Sequence, residues 1–269
     1  MKITALFSGL ENQVRWLLIC AMIPGARPLS GGLTLQVREG RPVVDGVYVN
    51  GHGPYRFLLD TGTNVNLIAI GLARKIGMNA TFEVDLASAA GKIPMPGSDG
   101  NEVQLGPVKA NEQKFLFSEM VAMHSLPDVQ GVLGQWFLAG FDYLLDLRGK
   151  RLEFGKQNMS GRRSPVRLMN GRTAISTSLG DLVLDSGADR LILFGVDPDR
   201  AGNHYMRTLS GSQTTGVVFS RLVIEGRNVW RGDALAIPNG AEPGVAGLMP
   251  LSLFRTVYVC NSEGYVVFE

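Results

Sequence analysis

The sequence has little cysteine, little histidine and almost no net charge, and each scarcity argues against a class of site or partner. Its two cysteines, Cys20 and Cys260, show neither a metal-binding spacing nor a disulfide framework. The three histidines are far apart and share no ligand spacing. A net charge of +2 gives no case for nucleic acid or an acidic membrane surface as partner. We therefore expect no metal, no cofactor and no nucleic-acid partner.

Long apolar runs are also lacking. The one apolar run near the start, Trp16 to Ile23, is shorter than the roughly 20 residues that a membrane-spanning helix needs, so we expect no stable membrane insertion. It follows Lys2 and Arg15 and could belong to a secretory signal removed near Ala26, or to a short amphipathic helix. We treat residues 1–31 as an N-terminal leader. The protein would be secreted or periplasmic if residues 1–26 are a signal peptide, and cytoplasmic otherwise.

The remaining chain has the pattern of an all-β protein. Its 34 glycines follow no fixed period, and short alternating apolar segments are separated by turn residues. Asn50-Gly51 and Asn170-Gly171 predict tight hairpin turns. One short helix is predicted over 69–78, and 103–108 and 165–169 are each predicted as one strand. A long hairpin is predicted over 82–96, with small residues at its tip.

Two stretches of sequence resemble each other and indicate an internal repeat. Phe57 to Thr63 reads FLLDTGT, and Leu182 to Ala188 reads LVLDSGA. Each is followed by a segment with glycine at both ends, GVLG at 131–134 and GVAG at 244–247. We predict two lobes, 32–157 and 165–269, joined by a polar linker at 158–164, with the glycine segments packed behind the two aspartates.

Paired aspartates have a defined chemistry. Two neighbouring carboxylates cannot both ionise cheaply, so they share one proton, and one can act as a base while the other acts as an acid. A glycine after each aspartate would let backbone N–H groups approach the carboxylates. Such a pair titrates as a unit.

These motifs resemble those of aspartic proteases of the pepsin and retropepsin kind, and the bacterial retropepsin-like proteins most. The resemblance spans about residues 33 to 269, and it is stronger in the first half. It implies a pepsin-like fold of two duplicated β-barrel-like lobes with a few short helices. It further implies an endopeptidase that hydrolyses protein or peptide substrates through a bound water, without a covalent intermediate.

The resemblance also implies roles for individual residues. Asp60 and Asp185 would jointly be the general acid and base. The tip of the 82–96 hairpin would be a flap over the substrate. Retropepsins are usually homodimers with one aspartate from each chain, but this chain carries both, so dimerisation is not needed for the pair. The supporting residues implied are Thr61, Gly62 and Thr63 with Ser186, Gly187 and Ala188 in the aspartate loops, and Ala89, Ala90 and Gly91 in the flap.

The residue after each glycine makes the two loops unequal. Thr63 has a hydroxyl that could stabilise a charged carboxylate, and Ala188 has none. We predict an activity optimum less acidic than when both positions carry a hydroxyl.

Two alternatives remain open. The first is a peptide-binding relative with the same fold and no activity, because the second half has a shorter flap region and carries Pro250 where the first half has Phe137. The second is an unrelated β protein that binds a metal through Asp60, Asp185 and further carboxylates. It lacks the clustered oxygen ligands of a calcium loop.

Overall fold

The computed structural model describes residues 32–88, 91–119, 126, 128–208, 211–238 and 243–269. The predicted leader, residues 1–31, lies outside the described residues. The predicted all-β class is confirmed, because the chain forms a 13-stranded and an 8-stranded sheet with three short helical segments among the described residues. No described helix has the length and apolar character to cross a membrane.

Within the described residues, the first half of the chain supplies ten strands and two short α-helices. Its strands are β1 (Leu33–Arg38), β2 (Arg41–Val49), β3 (His52–Leu59), β4 (Leu67–Ala69), β5 (Phe82–Ser88), β6 (Gly91–Leu105), β7 (Val108–Ser118), β8 (Gly131–Leu133), β9 (Tyr143–Asp146) and β10 (Arg151–Phe154), and its helices are α1 (Ile70–Lys75) and α2 (Gln135–Leu138).

The part of the second half that the structure describes supplies eleven strands and one 3-10 helix. They are β11 (Arg163–Pro165), β12 (Arg167–Met169), β13 (Arg172–Thr177), β14 (Gly180–Asp185), β15 (Ile192–Phe194), β16 (Arg200–Thr208), β17 (Gly211–Ile224), β18 (Arg227–Ile237), β19 (Gly247–Pro250), the 3-10 helix Leu251–Leu253, β20 (Thr256–Cys260) and β21 (Tyr265–Phe268).

The predicted Asn-Gly turns are confirmed by their backbone angles. Asn50 and Gly51 have φ of 51° and 76°, and Asn170 and Gly171 have the same two values. Positive φ at both central residues defines the turn that matches strand twist, and Asn-Gly suits it best. The first turn joins β2 to β3, and the second joins β12 to β13.

The internal repeat appears as the same strand pairing in both halves. β3 pairs in parallel with β8, β8 pairs antiparallel with β4, and β4 pairs in parallel with β7. In the second half, β14, β19, β15 and β18 repeat these three relations in the same order. By this correspondence, β1 and β2 match β12 and β13, so each half presents its aspartate at the end of an equivalent strand.

The register of the repeat corrects one prediction. Phe57 lies opposite Gly131 in the first half, and Leu182 lies opposite Gly247 in the second. The counterpart of the segment 131–134 is therefore 247–250 and not 244–247. The glycine is needed at 247 because an added Cβ would overlap the carbonyl oxygen of Ile192. Strand pairing, and not the spacing of glycines, decides the match.

Strands from both halves join in one continuous sheet. β20 pairs with β9, β21 pairs with β20, and β11 pairs with β21, so the larger sheet runs β11-β21-β20-β9-β10-β1 before it continues into the first half. The larger sheet therefore contains strands from both sides of the predicted lobe boundaries at 157 and 165. Those boundaries stay a prediction.

Three local predictions differ from the structure. The strand predicted over 103–108 is interrupted by a turn at Gly106 (φ 55°), which divides β6 from β7. The strand predicted over 165–169 is two strands that belong to different sheets and meet at Val166. The predicted helix is shorter, since only Ile70–Lys75 is helical.

The strands that carry the aspartates are anchored in the apolar core. The three residues before Asp60 have exposed fractions of 0–1%, and so do those before Asp185. Phe57 packs edge-on against Phe115, with ring centroids 6.3 Å apart. Burial of a side chain of this size stabilises the fold by roughly 1.5–3 kcal/mol. The loops that carry Asp60 and Asp185 therefore start from strands that are packed in the core.

Candidate active site

Two loops carry the predicted aspartates: the first aspartate loop (60–64), after β3, and the second aspartate loop (185–189), at the end of β14. The N–H of Asp60 donates to the carbonyl of Leu133, 3.0 Å away, which ties the first loop to β8. In the second half Asp185 lies opposite Pro250 of β19. Asp185 is 6% exposed, and Asp60 is partly buried.

The two glycines bring the carboxyl groups together. The Gly62 N–H donates to Oδ1 of Asp60 at 2.9 Å, and the Gly187 N–H donates to Oδ1 of Asp185 at 2.7 Å. A Cβ added to Gly62 would overlap the carboxyl of Asp185, and one added to Gly187 would overlap that of Asp60. Each carboxyl group therefore lies against the glycine of the opposite loop, and the two are within hydrogen-bonding reach.

Thr61 and Ser186 bond reciprocally between the loops. The Thr61 hydroxyl donates to the Leu184 carbonyl and the Ser186 hydroxyl donates to the Leu59 carbonyl, both at 2.7 Å. Each hydroxyl also accepts the other residue's backbone N–H at 3.0 Å. Both side chains are 1% exposed, so four buried hydrogen bonds fix one loop relative to the other. Both residues are among the supporting loop residues that the resemblance implies.

The electrostatics of the pair favour a shared proton. Burial raises the pKa of Asp60, while the Gly62 N–H, the bond to Asp185 and the charge of Arg172 act in the opposite direction. Burial and the charge of Asp60 together raise the pKa of Asp185 well above its usual range. A carboxyl group kept neutral beside an ionised one is the arrangement that can serve an acid and a base at once.

Thr63 and Ala188 are more alike in the structure than their side chains suggest. The Thr63 hydroxyl accepts the Val65 N–H at 3.4 Å, and it is the backbone N–H of Thr63 that lowers the pKa of Asp60. The Ala188 N–H donates to Oδ1 of Asp185 at 2.9 Å. Both loops therefore use backbone N–H groups on their carboxylates, and the pH optimum predicted from the hydroxyl stays a prediction.

Buried amides support the first loop, and sequence reasoning missed them. Gln135, at the start of α2, donates from Nε2 to the Thr61 carbonyl at 2.9 Å. Asn66 accepts the Gly134 N–H at 3.0 Å and donates to Oε1 of Gln113 at 3.3 Å. The three amide residues are 0–6% exposed. Gln135 directly follows the segment 131–134, and a polar residue at that position was an available sequence signal. The hydrogen bonds of the three amides join distant parts of the chain, which a local pattern does not predict.

Arg172 is a further site residue that the sequence did not reveal. Its Nη1 donates to the Gly62 carbonyl at 3.3 Å, and the residue is 9% exposed. It lies 110 positions from its acceptor, with no motif that connects the two.

The predicted flap is only partly within the described residues. The hairpin predicted over 82–96 is confirmed, since β5 and β6 pair antiparallel from Phe82 opposite Gly97 to Ser88 opposite Gly91. Ala89 and Ala90 lie outside the described residues, and Gly91 begins β6. The role of the hairpin as a flap stays a prediction.

No group of three or more His, Cys, Asp or Glu side chains in the described part of the chain could hold a metal ion.

Comparisons with known proteins agree with this geometry. Residues 46–137 match the family model described as aspartyl protease. The solved aspartic proteinase from Irpex lacteus aligns over 88% of this chain and 96% of its own, with 10% identity and a TM-score of 0.51. A retropepsin-like aspartic protease from Rickettsia conorii aligns over 45% of this chain and 87% of its own, with 19% identity and a TM-score of 0.35. No curated protein matches the sequence.

The family match and the first of these structures confirm the predicted resemblance. The match covers the first aspartate and the segment at 131–134, and the likeness to the Irpex lacteus protein extends the pepsin-like bilobal fold to most of the chain. Together they support protease function in general terms.

Proposed function

We propose that this chain, which has the fold of aspartic proteases, is an aspartic endopeptidase whose active site is the pair Asp60 and Asp185. The observation that carries the proposal is the placing of each carboxyl group against the glycine of the opposite loop. A protein that used this fold only to bind peptides would gain nothing from two buried neighbouring carboxyl groups, because burying ionisable groups costs stability.

The shared proton supplies both halves of the chemistry. The ionised aspartate takes a proton from a water molecule, and the water oxygen bonds to the peptide carbonyl carbon. The carbonyl oxygen takes the proton of the neutral partner, which gives a neutral tetrahedral diol. The peptide nitrogen then takes the proton held by the first aspartate as the C–N bond breaks. The second aspartate recovers its proton from a diol hydroxyl while the new carboxyl group forms. No covalent enzyme intermediate is needed.

The loops supply the geometry that this reaction requires. Backbone N–H groups of Gly62 and Gly187 donate to Oδ1 of Asp60 and of Asp185, respectively. The reciprocal bonds of Thr61 and Ser186 keep the loops at a fixed separation. Prior positioning of this kind lowers the barrier because no reorganisation is left for the reaction itself.

The β5–β6 hairpin would cover the bound substrate. We propose that Ala89, Ala90 and Gly91, which follow β5 in the sequence, contact the substrate backbone. Small residues at this position leave room for the peptide, and closure would exclude bulk water from the reaction.

Peptide cleavage tests the proposal directly. Purified protein is incubated with a mixed peptide library from acid to neutral pH, and products are identified by mass spectrometry. Asp60→Asn and Asp185→Asn are near-isosteric and should each lower cleavage by about a thousandfold. The exposed Asp197 provides a matched control, because Asp197→Asn changes one charge by the same chemistry away from the two loops.

The outcomes separate enzyme from binding protein. Cleavage by the wild type and by the Asp197→Asn variant, but by neither site variant, supports the proposal. Equal cleavage by all four proteins would point to a contaminant and contradict it. Binding of library peptides without cleavage at any pH would favour the inactive peptide-binding alternative.

A further inference from the structure

Arg172 places a cation from the second half beside the aspartate of the first. It is the first residue of β13, directly after the Asn170-Gly171 turn. That turn lies against the first aspartate loop, since a Cβ on Gly171 would be 3.3 Å from Cβ of Asn64. The guanidinium Nη1 donates to the Gly62 carbonyl at 3.3 Å, and the N–H of the same glycine binds Asp60.

The equivalent arginine of the first half, Arg41, pairs with a carboxylate. Arg41 also opens its strand after a turn with positive φ, at Glu39 and Gly40. It forms an ion pair with Glu39 at 2.5 Å, and its turn lies beside Ser252. The repeat therefore places one arginine against the loop that carries Asp60, and its counterpart next to a carboxylate of its own turn.

A buried positive charge beside one member of an acid pair decides which member is ionised. Opposite charge favours the charged form of a carboxyl group, and the effect is large where water is excluded. Among the described residues, the charged groups with a leading effect on the pair are the two aspartates themselves and Arg172. Backbone N–H groups act on both carboxylates alike, so they do not distinguish the two.

We propose that Arg172 is a positioning residue that keeps Asp60 ionised and thereby leaves the shared proton on Asp185. This inference rests on the proposed function and gives each aspartate one role. Asp60 takes the proton from water, and Asp185 donates its proton to the peptide carbonyl. Arg172 itself contacts the loop and not the reacting atoms. Its charge also lowers the pKa of Asp60, which agrees with this order.

The pH profile of kcat/KM tests the inference with a substrate peptide taken from the library. Without the cation, Asp60 must hold its proton to higher pH, so Arg172→Met should lower kcat/KM on the acid limb by about tenfold, for a displacement of about one pH unit. The plateau should change much less. Arg172→Lys keeps the charge and should restore the wild-type limb. Arg41→Met is the matched control and should leave the limb in place.

A second measurement does not depend on activity. In the Asp185→Asn protein only one carboxyl group of the pair titrates, and carbon-13 NMR of the aspartate carboxyl follows it. Adding Arg172→Met should move the Asp60 titration to higher pH, whereas Arg172→Lys should not. If Arg172→Met fails to fold, Arg172→Gln replaces it, since glutamine can still donate to the Gly62 carbonyl.

The two measurements fail in different ways. A displaced NMR titration in a protein that cleaves nothing would support the role of Arg172 and contradict the proposed function. Cleavage with superimposable acid limbs for wild type and Arg172→Met would support the function and overturn the role of Arg172. An unmoved NMR titration would overturn it as well.

Discussion

Replacing Asp185 by asparagine should make the folded protein more stable at neutral pH, although it removes a proposed active-site group. Asp185 is 6% exposed, and burial together with the charge of Asp60 raises its pKa well above the usual value. Asparagine has nearly the same shape, and its oxygen can accept the Gly187 and Ala188 N–H groups that Asp185 accepts at 2.7 and 2.9 Å. The substitution therefore removes the free-energy cost of burying an ionisable group beside Asp60, and it keeps the hydrogen bonds.

The sign and size of the effect follow from proton binding. Above the usual aspartate pKa of 3.8, the unfolded chain loses a proton that the folded protein keeps on Asp185. The free energy of unfolding then falls by about 1.4 kcal/mol for each pH unit until the folded pKa is passed. For a chain of this size this corresponds to about 2.5 °C in Tm for each pH unit. The asparagine variant has no such loss, so its advantage over the wild type should grow as pH rises.

Thermal unfolding between about pH 4 and about pH 7 at constant ionic strength measures this difference. The difference in Tm between Asp185→Asn and wild type should be near zero at the acid end and should rise with pH. Asp197→Asn, at an exposed position, should show a difference that does not vary with pH. A difference for Asp185→Asn that is flat across the range would refute a raised pKa at Asp185.

Three further outcomes are expected. Thr61→Val leaves the buried partners of the Thr61 hydroxyl without a hydrogen bond, so it should lower the free energy of unfolding by about 2–3 kcal/mol. Urea titrations measure this change, and a value below about 0.5 kcal/mol would contradict the hydrogen-bonded connection between the two loops. Gly62→Ala should abolish peptide cleavage while circular dichroism keeps its β signature, because the added Cβ overlaps the carboxyl of Asp185; full activity would rule out this close approach. Ala188→Thr should displace the pH–activity optimum toward acid if a hydroxyl there reaches the carboxylate, and an unmoved optimum would show that backbone N–H groups suffice.

Much of the fold was predictable because its signals are local. Asn50-Gly51 and Asn170-Gly171 need positive φ at both positions, and that requirement is readable from two residues. The meeting of Asp60 and Asp185 was predictable because an internal repeat relates two similar strands. Two copies of one unit present equivalent loops to each other, and each glycine makes room for the opposite carboxyl group.

What could not be predicted depends on contacts between distant strands. The segment at 244–247 has the more obvious glycine pattern, but β14 pairs with Gly247–Pro250 and shifts the repeat by three residues. Arg172 and Gln135 reach the first aspartate loop only because separate strands and α2 converge there. Side-chain direction at such a junction is set by packing, and no local pattern encodes it.

The joining of β9 to β20 within one chain has a consequence for how the site responds to dilution. A pair of acids supplied by two separate chains is lost when the protein falls below the dissociation constant of the dimer. Here both acids are covalently connected, and the effective concentration of one half for the other is on the order of millimolar or higher whatever the bulk concentration. Specific activity should therefore be constant on dilution. For the same reason, mixing a chain that lacks Asp60 with a chain that lacks Asp185 should not restore activity. A chain that lacks Asp60 should also not inhibit an intact chain.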